Sequence, residues 1–257
     1  MSESALTDYI LTENRGGVLQ VTFNRPQKKN AINNAMWVGI RETFRAAAAD
    51  DDVTCVLLCG AGDNFCAGVD LSSFGEEGAE GEHPFESAAR AVAEFDKPLL
   101  AAAQGVAVGG GATVLFHADI VYVGESLRMR LPFANLALAP EWASSYMLQA
   151  NIGAQRAAEL FYTAEWIDAD KAHNYGLAAD VLPDANLHEY AMEKAREIAQ
   201  WPVGALREIK RALRMHHLPA IDAAFNTEQA AMQRLAGSPD NIEAITAIFE
   251  KRAPKFR

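Results

Sequence analysis

Residues 53–71, VTCVLLCGAGDNFCAGVDL, join an unbroken apolar run to a turn of small residues. The run at 53–60 reads as a strand buried on both faces, because it is short, rich in aliphatic residues and not interrupted by a polar side. Upstream, GVLQVTF (17–23) reads as a second strand. Between the two, Trp37, Ile40, Phe44 and Ala48 recur at helical spacing, with Arg41, Glu42 and Arg45 on the opposite side. Downstream, KPLLAAAQG (97–105) and ADIVYVG (118–124) add further strands. Strand and helix in alternation predict an α/β fold around a buried sheet.

After about residue 150 the strand signals thin out. GAQRAAELFYTAE, DADKAHNYG, ANLHEYAMEKAREIAQ, GALREIKRALRMH and IDAAFNTEQAAMQRLAG all read as helices, several starting behind Asp or Gly and stopping at Gly or Pro. The stretch SSFGEEGAEGEHPF (72–85) is rich in Gly and Glu and reads as a mobile surface loop, placed after a glycine turn where a lid would sit.

Composition narrows the function classes. Half of the 257 residues are hydrophobic and 22% charged, which suits a folded core. No apolar run approaches the ~20 residues of a membrane span, and MSESALTDYI lacks the order of a secretory signal, so a cytoplasmic protein with no membrane partner is expected. A net charge of −11 disfavours nucleic acid as a partner. An anionic ligand therefore has to be held by local positive groups, for which RPQKK near the N-terminus, REIKRALR (207–214) and KRAPKFR at the end are the candidates. Cys55, Cys59 and Cys66 read as reduced thiols filling core space.

Two strand ends run into small-residue turns that look like helix starts, GAGDNFCAGVDL (60–71) and QGVAVGGGATVLF (104–116). Unpaired N–H groups beside glycine suit an anion or a developing oxyanion, although glycines that merely permit close packing explain either turn alone. Neither is a phosphate loop, since no Gly-Lys-Ser/Thr follows and GVAVGGG is not G-x-G-x-x-G. Elsewhere, LALAPEWASSYML (136–148) sets Glu141 among apolar residues. Such an acid is either a helix-start device or a base kept from water. The six histidines show no metal-ligand spacing, Cys66 has no histidine near it, and Ser144 and Ser145 lack a nucleophile elbow. His216-His217 reads as a cation at a helix end.

Taken in order, NRPQKKNAIN (24–33), GAGDNFCAGVDL, AAAQGVAVGGGATVLFHADIVYV, PFANLALAPEWASSY and FEKRAPKF resemble the crotonase, or enoyl-CoA hydratase/isomerase, superfamily. The resemblance implies a spiral of ββα units over residues 1–195 that binds acyl-CoA. It also implies a C-terminal helical region, 196–257, for oligomerisation and coenzyme A contacts. A homotrimer or dimer of trimers would follow, with no separate cofactor, because coenzyme A is part of the substrate. By motif, the backbone N–H groups of Val69 and Gly110 would form an oxyanion hole for the thioester carbonyl, as enolate chemistry requires. Coenzyme A would lie along Lys28, Lys29 and Ala31, along Ala67, Gly68, Val69, Asp70 and Leu71, and near Phe249 and Lys251, the last pair supplied by a neighbouring subunit. Asp70 would brace the turn that aims the Val69 N–H.

Side chains choose the reaction. The two glutamates of related hydratases fall on Thr113 and on Phe133 after Pro132, so the pair that handles water is missing. Glu141 in PEWASS matches the single base of Δ3,Δ2-enoyl-CoA isomerases of the PE-x-x-SS type, and an isomerase is the expectation. Water addition through Thr113 or loop glutamates 76–82, another crotonase-type reaction, and an acyl-CoA-binding protein without turnover are the alternatives. Ala137 and Trp142 depart from the family pattern, which has Gly and a small residue there; a Trp would narrow the acyl pocket or displace the backbone of the glutamate.

Overall fold

In a computed structural model, which describes residues 8–70 and 84–256, the opening apolar run becomes strand β3 (Cys55–Gly60), buried at every position. It lies in a six-stranded sheet of order β1-β2-β3-β4-β6-β9. There β2 (Val18–Phe23), β4 (Leu99–Ala103), β6 (Ile120–Gly124) and β9 (Asp180–Leu182) run parallel, and β1 (Ile10–Asn14) pairs antiparallel at the edge. A second sheet joins β5 (Val106–Val108), β7 (Arg128–Arg130) and β8 (Trp166–Asp168). Parallel neighbours need crossovers, and helices supply them. Helix α1 (Asn34–Ala49) links β2 to β3, and α2 (Pro84–Ala93) precedes β4.

The sheet is covered on both faces, which is why its strands are continuous apolar runs rather than alternating ones. Val56, Leu58, Leu99, Ala101 and Ala103 face a core that includes Met36, Trp37, Ile40 and Phe44 of α1, the stripe expected from helical spacing. Residues of opposite parity, Cys55, Leu57, Cys59, Leu100 and Ala102, pack on Leu187, Ala191, Met192 and Ala195 of a later helix, Asp184–Ala199. Helix α1 starts where Asn33 Oδ1 accepts the Met36 N–H at 3.0 Å. The cysteines are buried and unbridged, and burial pushes each thiol up to about 12, so they are inert packing residues.

The remaining helices are α3 (Gly110–Thr113), α4 (Ser144–Ile152), α5 (Ala154–Thr163), α6 (Ala169–Tyr175), α7 (Asp184–Ala199), α8 (Val203–Arg214), α9 (Leu218–Leu235) and α10 (Pro239–Phe249). The helix-rich second half is thus as expected, with three corrections to detail. Of the expected loop 72–85, residues 72–83 lie outside the described residues, and Pro84 and Phe85 open α2 instead. Proline suits a first helical position because the N–H it lacks has no partner there, and Phe85 packs edge-on against Trp37. Helix α8 ends before His216-His217, so His217 heads α9 rather than closing a helix, its Nδ1 2.7 Å from the Tyr146 hydroxyl. Finally, the basic stretch 207–214 ties the fold together. Lys210 is buried with Nζ 2.8 Å from Asp119, and Arg207 ion-pairs with Asp96 at 3.0 Å. Arg252 of the tail is bound to Glu243, whereas Lys28 and Lys29 are exposed. No helix among the described residues is long and apolar enough to cross a membrane.

Candidate active site

The two small-residue turns meet. Cys66 bridges to Ala107, its N–H donating to Val106 O at 2.9 Å and its carbonyl accepting from Val108 N–H at 3.0 Å. Gly68 then passes so close to β5 that a methyl group on it would lie 2.5 Å from Val108 O, and its φ of +89° belongs to glycine. Beyond it the chain bridges to Ile32, whose N–H donates to Gly68 O at 2.7 Å and whose carbonyl accepts from Asp70 N–H at 2.9 Å. In a parallel bridge of that register the N–H of the intervening residue, Val69, is turned away from the partner. The expected helix start is absent from this turn among the described residues; the free donor comes from strand geometry instead. The other turn does open a helix, because β5 runs through Gly109 into α3. Neither the Val69 N–H nor the Gly110 N–H is paired with an acceptor among the described residues.

A polar hub behind the first turn holds it. Asn30 is buried; its Oδ1 accepts the Arg25 N–H at 2.9 Å, and its Nδ2 serves the carbonyls of Ala61, Asn64 and Phe65 at 3.0, 2.7 and 3.1 Å. Arg25 in turn donates to Ala31 O at 2.6 Å and ion-pairs with Asp70 at 3.0 Å. Asp70 thus braces the turn as the sequence suggested, through an arginine that sequence reasoning did not single out. The Ala67 N–H donates to Lys29 O at 2.9 Å, which lays the Lys28, Lys29 and Ala31 segment against Ala67, Gly68, Val69 and Asp70. Leu71 lies outside the described residues. Phe249 and Lys251 are not part of this grouping: both are exposed at the far end of α10, which packs on residues 134–136 through Asn241 Nδ2 and Leu136 O at 2.7 Å.

Glu141 stands over the second turn. A methyl group on Gly110 would sit 3.0 Å from Glu141 Oε1, 3.6 Å from Trp142 Nε1 and 3.6 Å from the Trp37 ring. Only a glycine leaves that space open. Glu141 keeps part of its surface accessible, yet burial, with the Glu228 charge as the smaller cause, raises its carboxyl from 4.5 to about 8. The backbone around it is unusual: Trp142 and Ala143 have φ of +61° and +51°, and Trp142 is buried among Trp37, Phe85 and His117. A run of two left-handed, non-glycine residues costs free energy and persists only where the surroundings dictate it.

Those surroundings come largely from α9. Glu228, buried, accepts the Ser145 N–H at 2.7 Å, serving an unpaired donor at the start of α4. The helix-start acid is therefore Glu228, and Glu141 makes no cap. His117 Nε2 lies 2.6 Å from Trp142 O, and its ring stacks on Phe225 of α9. Burial pushes His117 down to about 4, so it is neutral and Nε2 carries the proton that Trp142 O accepts.

Other candidates recede. Thr113 is buried with Oγ1 bonded to Gly109 O at 3.2 Å, and Phe133 packs on Phe161. Cys66 Sγ lies 3.2 Å from Asn30 O, inside the hub. Among the described residues no three His, Cys, Asp or Glu side chains are grouped to hold a metal ion.

The sequence profile of the enoyl-CoA hydratase/isomerase family matches residues 13–257. The chain is 32% identical to 1,2-epoxyphenylacetyl-CoA isomerase of Escherichia coli over 98% of its own length and 99% of the relative's. It is also 32% identical to 2,3-dehydroadipyl-CoA hydratase of the same organism, over 93% and 95%. An enoyl-CoA hydratase/isomerase of Pseudoalteromonas atlantica, solved by crystallography, superposes with a TM-score of 0.94 at 31% identity, covering 97% of this chain and all of that one. A mixed α/β spiral with a helical C-terminal region is common to both. This chain belongs to the enoyl-CoA hydratase/isomerase family and is an enzyme of that family.

Proposed function

We propose that the protein isomerises a Δ3-enoyl-CoA to the Δ2 isomer, with Glu141 as the only proton shuttle and the Val69 and Gly110 N–H groups as the oxyanion hole. The Glu141 carboxylate removes a proton from C2; the electron pair moves toward the thioester, leaving a dienolate whose negative charge rests on the thioester oxygen. The same carboxyl then returns the proton at C4, so the double bond moves from C3=C4 to C2=C3 and no atom is gained or lost. Two unpaired N–H groups fixed in advance suit that oxygen because they need no rearrangement when the charge forms.

The observation that carries this reading is the position of one carboxyl directly above Gly110, with threonine and phenylalanine where a water-handling pair would stand. Hydration or another crotonase-type reaction is the second reading, favoured by the hydratase among the relatives; the glutamates of 76–82 that could serve it lie outside the described residues. Following double-bond position and water addition separately on a 3-enoyl-CoA and a 2-enoyl-CoA decides between them. Isomerisation without hydration is expected, and hydration of the 2-enoyl substrate at a comparable rate would overturn the proposal.

Coenzyme A needs no further cofactor in this scheme. Exposed Lys28 and Lys29 beside the 67–70 turn suit its phosphates, with Phe249 and Lys251 supplied across a subunit boundary. A trimer or dimer of trimers is supported by the exposed apolar residues Ile209, Leu213, Met215 and Leu218 along α8 and the start of α9. Light scattering should return three or six times 27.9 kDa, and a monomer would contradict it.

The rate should also follow the ionisation of Glu141. Only the carboxylate accepts a proton, and burial disfavours that form, so kcat/KM for the 3-enoyl substrate should climb about tenfold per pH unit and level off near pH 8. A plateau already reached at pH 5.5 would mean that the acting base is not a desolvated one.

A further inference from the structure

Glu228 lies far from Glu141 in sequence and on a helix with no part in either turn, yet it closes the site from behind. Its Oε1 accepts the Ser145 N–H at 2.7 Å. Ala143 and Trp142 are the two left-handed residues that directly follow Glu141. One turn earlier on α9, Phe225 stacks on His117, whose Nε2 holds the Trp142 carbonyl at 2.6 Å. Both ends of the Trp142–Ser145 turn are thereby fixed by one helix. Among the described residues its second oxygen, Oε2, is buried without a hydrogen-bond partner.

We propose that Glu228 is a positioning residue for the Glu141 base, holding the strained turn that aims it and setting a second carboxyl against it. This rests on the reading of Glu141 as proton shuttle. The pairing has a chemical use. A like charge close by makes the ionised form of Glu141 costlier and so raises its basicity; among the described residues Glu228, whose own carboxyl burial pushes up and hydrogen bonding pulls back down, is the one whose charge bears on Glu141. The others are already engaged. His117 is neutral, His217 is bonded to Tyr146, Arg90 is shared by Glu86 and Asp222, and the Cys66 thiol stays protonated.

Glu228→Gln keeps a carbonyl for the Ser145 N–H and removes the charge. The test titrates the Glu141 carboxyl directly in both proteins, by infrared difference spectroscopy with the band assigned through its loss in Glu141→Gln, alongside kcat and KM against pH for a 3-enoyl-CoA. The Glu141 midpoint should fall by at least about half a unit, and the rise of kcat/KM should move to lower pH by the same amount. An unmoved midpoint in a folded Glu228→Gln protein, or an equal loss of kcat at every pH with no shift, overturns the proposal and leaves Glu228 a structural cap. A shifted midpoint together with full activity of Glu141→Gln would instead sink the proton-shuttle reading while the coupling of the two carboxyls stands. Should Glu228→Gln fail to fold, Glu228→Met, which fills the space without charge, is titrated in its place under the same criteria.

Discussion

Glu141→Gln should lower kcat/KM for a 3-enoyl-CoA by about a thousandfold, within the range one positioned acid–base group contributes. Glutamine has the size of glutamate and can occupy the slot over Gly110, but it takes no proton from C2. The loss should fall on kcat, since the thioester oxygen and coenzyme A would still find their donors. Binding of a non-reacting acyl-CoA should be nearly unchanged, and the variant should melt no lower than the wild type because it removes a buried ionisable group. Retention of more than a tenth of the activity would remove Glu141 from the chemistry.

Gly68→Ala should cost about 3 kcal/mol or more of unfolding free energy. The new Cβ would meet Val108 O at 2.5 Å, and that carbonyl belongs to backbone pinned by the bridge between Cys66 and Ala107. Gly153→Ala supplies the control. Its φ of +85° is nearly that of Gly68, at +89°, but nothing lies within 4 Å of the added methyl. With ψ of 155° it sits in a backbone region nearly exclusive to glycine, so the variant should cost about 1–3 kcal/mol from that strain, without any clash. The difference between the two variants in urea unfolding isolates the contact between the turns. Equal losses would mean that the turns are not locked together as described. Where Gly68→Ala remains folded, its displaced Val69 N–H should depress kcat as well.

The sheet was legible because burial on both faces forces unmistakable apolar runs, as in VTCVLLCG. Edge strand β1 was not: four of its five residues are exposed and only Ile10 is buried, so its sequence carries little periodicity. The pairing of Val69 and Gly110 followed from motif resemblance, whereas the reason the Val69 N–H is free, its place opposite Ile32, depends on a pairing between distant segments that spacing does not reveal. Asn30 in NRPQKKNAIN went unmarked, because its partners are backbone carbonyls some thirty residues on. Glu228 in NTEQAAM went unmarked inside a stretch expected to be helical. A polar side chain whose partners are main-chain groups of a remote turn leaves no mark in local sequence, and both missed residues are of that kind.

The protonation of Glu141 also bears on how long the fold survives. Its folded-state value of about 8 lies above the 4.5 of an unhindered carboxyl, so the native chain holds that proton more tightly than the unfolded chain does. The resulting stabilisation is fully present below about pH 4.5, shrinks as the unfolded chain releases its proton, and is gone above about pH 8. Conditions that ready the base for turnover thus loosen the empty protein, and an acyl-CoA that binds the native state would restore what alkali removes by mass action. Durability and reactivity draw on the same carboxyl, in opposite directions along the pH axis.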